Sequence, residues 1–200
     1  MNRTAIPLVT ICGLEELDCH SARGVTHVLS ILDPDWPEPE SFWACDPHHH
    51  LTLRFHDAIE PGEELRLPTR DDVEAILNFG RTLNSEGGSD IPHLLVHCHA
   101  GVSRSTAAVA ILMAQADPHL NEHEVFVRLL MLRPKAWPNS LIVSFADELL
   151  ERQGRLSEAL CALHARQLRK DPSAKRLLRM GGRGREGDMA LEVLRTAKMA

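Results

Sequence analysis

Apolar positions fall along the chain in four short runs separated by helical periodicity. Leu8-Val9-Thr10-Ile11-Cys12 is β-branched and apolar, and predicts a first strand that Gly13 breaks. Thr26-His27-Val28-Leu29-Ser30-Ile31-Leu32 is nearly continuously apolar, as expected of a strand buried in a parallel sheet. Leu51-Thr52-Leu53-Arg54-Phe55 alternates and predicts a third strand, and residues 93–97 predict a fourth. Residues 14–23 read as a short helix or turn. Thr69 is a good N-cap, with Asp71 and Asp72 at the positive helix end and Val73, Ile76, Leu77 and Leu83 on the apolar face. Gly87-Gly88-Ser89-Asp90 ends that helix in a turn. The stretch 105–115 is apolar on most sides and predicts a buried helix. Asn121 with Glu124 opens a helix through Leu132, Ser140 is read as the cap of a helix over 141–152, and a last helix is expected over 156–168. Gly181-Gly182-Arg183-Gly184 interrupts any continuation. Strands alternating with helices predict an α/β fold, a largely parallel central sheet of four or five strands flanked by helices.

Composition fits one core. The chain has 200 residues, 44% of them hydrophobic. No apolar run reaches the roughly 18–20 residues of a membrane span. Residues 1–7 do not read as a signal peptide. The five cysteines (12, 19, 45, 98 and 161) are odd in number and show no CxxC spacing, which favours free thiols in a reducing cytoplasm. The net charge of −6 divides unevenly: residues 1–164 carry 12 Lys and Arg against 24 Asp and Glu, and residues 165–200 carry 10 against 4. This suggests a main domain over 1–164 and a basic C-terminal extension over 165–200, helical or partly disordered. A solvated tail is the plain reading of that extension. Docking to an acidic surface is the functional one, and the lack of aromatic interleaving argues against single-stranded nucleic acid.

The connection over 33–50 holds Pro34, Pro37, Pro39 and Pro47, which disfavour regular structure. His48-His49-His50 lies near its end. Neighbouring side chains diverge in an extended chain, so a polar loop is favoured over a metal site, and neither metal nor cofactor is expected.

The densest chemistry lies at residues 97–105, between the fourth strand and the buried helix. Cys98 and Arg104 frame a C-x5-R loop. A strand-loop-helix turn supplies backbone N–H groups and the positive helix end to an oxyanion, so His99, Ala100, Gly101, Val102 and Ser103 become the substrate-binding residues. Gly101 lets the backbone bend without a Cβ clash. Arg104 can grip two phosphate oxygens at once. The same dipoles and guanidinium favour thiolate over thiol at Cys98, which makes it the nucleophile. Ser105 can donate to that thiolate when it leaves or simply cap the helix, and His97 can orient the cysteine backbone or be a satisfied core histidine. A leaving oxide needs a proton, so a general acid is required on a neighbouring loop. Asp57 is the best placed, following a strand end, with Asp33 and Asp35 in reserve.

His97-Cys98-His99-Ala100-Gly101-Val102-Ser103-Arg104-Ser105 resembles the HCxxGxxRS signature of the cysteine-based protein tyrosine phosphatases, and its HAGVSRS form is closest to the dual-specificity-like branch. Arg133-Pro134 followed by Pro138-Asn139 resembles that branch's segment after the signature. There the matching Asn braces the phosphate loop, a role the resemblance extends to Asn139. The Phe55-His56-Asp57 step resembles the acid-bearing loop. The resemblance implies a hydrolase acting through a phosphocysteine intermediate on phosphotyrosyl, or phosphoseryl and phosphothreonyl, protein. Phosphoinositide and other small phosphoesters are the alternative substrates. A phosphate-binding module without strong turnover is the alternative of another class. Two departures stand out: residues 141–147 carry no Gln where the family often places one, and the chain has no Tyr.

Overall fold

The computed structural model describes residues 8–20, 24–39, 48–83 and 91–199. Residues 1–7, the middle of the 33–50 connection with Cys45, and the 87–90 turn lie outside the described residues. Four strands form one sheet: β1 (Leu8–Cys12), β2 (His27–Leu32), β3 (His49–Arg54) and β4 (His93–His97). Their order is β1-β4-β2-β3 and every pairing is parallel. All residues of the two central strands are buried, which explains their largely apolar sequences.

A 3-10 helix (Leu14–Cys19) follows β1. The helices are α1 (Arg70–Thr82), α2 (Arg104–Ala116), α3 (Glu122–Leu132), α4 (Ser140–Leu149), α5 (Arg155–Lys170), α6 (Ala174–Met180) and α7 (Gly184–Met199). Thr69 caps α1, its hydroxyl accepting from the Asp72 N–H while the Asp72 carboxylate accepts the Thr69 N–H at 2.8 Å. Helix α2 is buried on nearly every side, from Ala107 to Leu112. It packs with the sheet, α1, α3 and α4 around one core that includes Leu29, Phe55, Ile76, Leu94 and Ile111. Truncating Ile111 to Ala would cost about 2–5 kcal/mol in such a setting.

Two local expectations need correction. The α4 cap is Asn139, not Ser140: its carboxamide oxygen accepts the Leu141 and Ile142 N–H groups at 3.1 and 3.3 Å. Ser140 instead is the first helical residue. The third strand begins at His49, so two of the three adjacent histidines are in the sheet. His49 stacks on His27 at 4.8 Å, and His50 Nε2 lies 2.8 Å from Ser30 Oγ. In the basic extension, residues 165–170, 174–180 and 184–199 are helical, and α5 spans positions 164 and 165. Helix α7 packs along α5 and α6.

Candidate active site

The phosphate-type loop is defined by where its carbonyls go. His99 O accepts the Leu14 N–H at 2.9 Å, and Val102 O accepts the Trp137 N–H at 2.8 Å. Arg133 takes the next two: Nη2 donates to Ala100 O at 3.2 Å and Nε to Gly101 O at 2.9 Å. Ser103 O accepts the Ala107 N–H at 2.9 Å within α2. Every carbonyl from 99 to 103 is thus turned outward into a donor. In trans peptides the N–H of the following residue points the opposite way, and no cis peptide occurs among the described residues. The N–H groups of residues 100–104 therefore face the concave side. That is an anion cradle built from backbone alone.

Two glycines permit it. Gly101 has φ +64°, and a Cβ there would lie 2.4 Å from the Cys12 carbonyl carbon. A Cβ at Gly13 would lie 2.8 Å from His99 O. The end of β1 and the loop are packed backbone to backbone. Glu16 completes the brace: its carboxylate accepts from Arg133 at 2.7 and 3.0 Å and from the Gly13 N–H at 2.7 Å. The Arg133 hydrogen bonds pull the Glu16 carboxyl down to about 2.

At the base of the loop, Cys98 is 2% exposed and its Sγ lies 3.2 Å from Ser105 Oγ. His97 is fully buried, its Nε2 2.6 Å from Ser30 Oγ. Burial holds its imidazole near 3, so it is neutral at ordinary pH. Arg104 is 3% exposed, and its Nη1 donates to Phe55 O at 2.7 Å and to Asp33 Oδ1 at 2.6 Å. Its Nε is buried without a partner among the described residues.

Asp57 follows β3 and reaches the same crevice. Its Oδ1 accepts Ser103 Oγ at 2.6 Å and Asn139 Nδ2 at 3.0 Å. Its Oδ2 lies 3.4 Å from Arg183 Nη1. Burial pushes this carboxyl up, but Arg183, Arg104 and the two hydrogen bonds outweigh it, and the net lies below the usual aspartate value. Asp33 sits on the other flank, near His99 as well as Arg104. Trp36 covers His99, with ring centroids 4.5 Å apart.

The crevice therefore brings together Cys98, Arg104, Ser105, Asp57, Asn139 and Asp33. For Asp35 no contact of this kind is seen among the described residues. Sequence reasoning missed the Glu16–Arg133 brace, Trp36, and Arg183 with Glu186. The glycine-rich basic segment carries no motif, and Arg183 Nη2 meets the proline-bounded loop at Trp137 O and Pro138 O only in the folded chain.

A parallel α/β sheet thus ends in a loop whose carbonyls turn outward beside a buried cysteine. Human dual specificity protein phosphatase 12 is 32% identical over 127 residues, covering 64% of this chain and 34% of that protein. The chain thus spans about a third of the length of that relative. Human DUSP28 superposes with a TM-score of 0.54 at 18% identity, over 74% of this chain and 95% of that one. The human tyrosine phosphatase-like serine/threonine/tyrosine-interacting protein gives 0.55 at 18% identity, over the same shares. No protein-family model matches the chain. The chain shares the fold of these phosphatase-type proteins and is similar in sequence to dual specificity protein phosphatase 12 over 127 residues.

Proposed function

We propose that the chain hydrolyses phosphate monoesters through a phosphocysteine intermediate, with phosphotyrosyl protein as the main substrate and phosphoseryl and phosphothreonyl protein as further ones. The supporting observation is the outward turn of carbonyls 99–103, which leaves five N–H groups converging above Cys98. A phosphate dianion fits that cradle, and Arg104 takes two of its oxygens once Asp33 yields. The Cys98 thiolate attacks phosphorus and the P–O bond to the leaving group breaks. Asp57 gives that oxygen its proton. The phosphocysteine is then attacked by water, whose proton returns to Asp57. The P–S bond breaks, and Ser105 donates a hydrogen bond to the departing thiolate across the 3.2 Å contact.

Trp36 favours an aryl substrate, since it is 44% exposed and offers an aromatic face beside His99. The loop residues His99, Ala100, Val102 and Ser103 include no lysine, which favours phosphoprotein over polyanionic lipid headgroups. No described helix is long and apolar enough to cross a membrane. Free thiols at Cys12, Cys19, Cys98 and Cys161 fit a reducing cytoplasm.

One observation favours a second reading, a phosphate-binding module with weak turnover. Asp57 is paired and ionised, and Arg104 is occupied by Asp33. A panel of phosphotyrosyl, phosphoseryl and phosphatidylinositol substrates separates these readings. Cys98→Ser should abolish turnover and keep oxyanion binding. Turnover that survives the substitution would sink the phosphocysteine mechanism, and wild-type binding without turnover would establish the module.

A further inference from the structure

Arg183 is a cation from the basic end of the chain, yet it is 6% exposed. It lies between α6 and α7 and reaches into the crevice from behind Asp57. Its Nη1 donates to Ser103 Oγ and lies 3.4 Å from Asp57 Oδ2. Its Nη2 donates to Trp137 O at 3.1 Å, Pro138 O at 3.3 Å and Glu186 Oε2 at 2.6 Å. Glu186 is fully buried and is itself held: Oε1 accepts the Ser140 N–H at 2.7 Å and Oε2 the Trp137 indole N–H at 2.9 Å. Trp137 stacks on His164 of α5 at 4.6 Å.

The backbone of the same turn grips the acid loop. Gly182 O accepts the N–H groups of Ile59 and Glu60 at 3.0 and 3.2 Å. Glu60 Oε1 accepts the Arg185 N–H at 2.8 Å. A Cβ at Gly182 would sit 3.1 Å from the Ala58 side chain. Residues 57–60 are therefore tied to the α6–α7 turn by backbone and side chain together. Taking a guanidinium out of water is costly unless its partners are in place. Here those partners are Ser103 of the phosphate-type loop, Asp57 of the acid loop and the carbonyls that precede α4.

We propose that Arg183 is a positioning residue of the reaction, and that the α6–α7 hairpin clamps the acid loop against the phosphate-type loop so that Asp57 meets the leaving group. The inference rests on the reading of Asp57 as the general acid. The hairpin is then part of the working domain, and its buried cation is spent on the site instead of on an outside partner. The groups facing Asp57 are Arg183 from the hairpin, Arg104, Ser103 and His99 from the phosphate-type loop, and Asn139 from the α4 cap. Only Arg183 and Arg104 are permanently charged. His99 is shifted toward its neutral form by burial and by Arg104.

The test compares wild type, Arg183→Lys, Arg183→Met and Arg183→Met with Glu186→Gln, all in the full chain. The double variant removes both members of the buried pair, so it keeps the test open where the single one misfolds. Substrates are phenyl phosphate, whose leaving group needs a proton, and 4-nitrophenyl phosphate, whose leaving group barely does. Loss of the clamp should lower kcat on phenyl phosphate by about 10- to 100-fold and on 4-nitrophenyl phosphate by no more than about threefold. The alkaline limb of the phenyl phosphate profile should move to higher pH without the positive neighbour, and Arg183→Lys should restore the limb. Amide exchange at Ile59 and Glu60 should quicken by at least about tenfold. Equal losses on both substrates, no loss, or an unmoved limb would overturn the clamp while leaving phosphatase activity standing. A wild type that turns over neither substrate would overturn the proposed function and the clamp with it.

Discussion

Substituting Gly101 by Ala tests whether the loop is held by backbone packing. The position has φ +64°, so a Cβ meets the left-handed penalty of about 1–2 kcal/mol. The new carbon would also lie 2.4 Å from the Cys12 carbonyl carbon and 2.6 Å from both Cys12 O and Gly13 N. These are backbone atoms at the end of a buried strand and cannot rotate away. Overpacking of this kind adds about 1–3 kcal/mol. The total, about 2–5 kcal/mol, corresponds to a fall in Tm of roughly 5–20 °C for a domain of this size. Relief requires the loop to move by about 1 Å, enough to cost on the order of 100-fold in turnover. Gly154→Ala is the matched control. It has φ +84° but nothing within 4 Å of the added carbon, and it lies at the start of α5. Strain alone, about 1–2 kcal/mol, should then lower its Tm modestly and leave kcat unchanged. Thermal melts and kcat on 4-nitrophenyl phosphate are the measurements. The reasoning is refuted if Gly101→Ala melts with Gly154→Ala and keeps its turnover.

Three further outcomes are expected. Asp57→Asn should slow phenyl phosphate hydrolysis by about 100-fold or more and 4-nitrophenyl phosphate far less; equal losses would move the acid role to Asp33. Asp33→Asn should tighten vanadate binding by about fivefold, because an ion pair whose Asp33 side is 36% exposed, worth about 1 kcal/mol, no longer competes for Arg104; weaker vanadate binding in titrations would instead make Asp33 a support for that arginine. Glu16 is drawn down from 4.5 to about 2 by Arg133, so its stabilising effect is complete above about pH 4.5 and is lost as the pH falls toward 2. Urea midpoints across that range should flatten in Glu16→Gln, and an unchanged slope would remove Glu16 from the brace.

Much of the scaffold was legible because its signals are local. The nearly continuous apolar run of β2 reports burial on two faces, and the Ala-rich run of α2 reports burial on most sides. The caps at Thr69 and Asn121 were legible for the same reason, since cap and partner lie within three residues. Ser140 misled because Asn139 beside it is an equally good cap, and only the approach of Asp57 and the helix start decides between them.

The sequence by itself determined the reacting loop. Cys98, Gly101, Arg104 and Ser105 lie within one strand-loop-helix turn, so their spacing alone places all four in a single local unit. Tertiary structure decided which distant side chains hold this loop. Glu16 and Arg133 are 117 residues apart, Asn139 and Asp57 are 82 apart, and Arg183 and Asp57 are 126 apart. No local pattern encodes such pairs. They arise because a parallel sheet gathers its strand ends on one side and because α5–α7 return the basic end of the chain to that edge. There the cost of burying a charge is met only by partners that the fold itself brings.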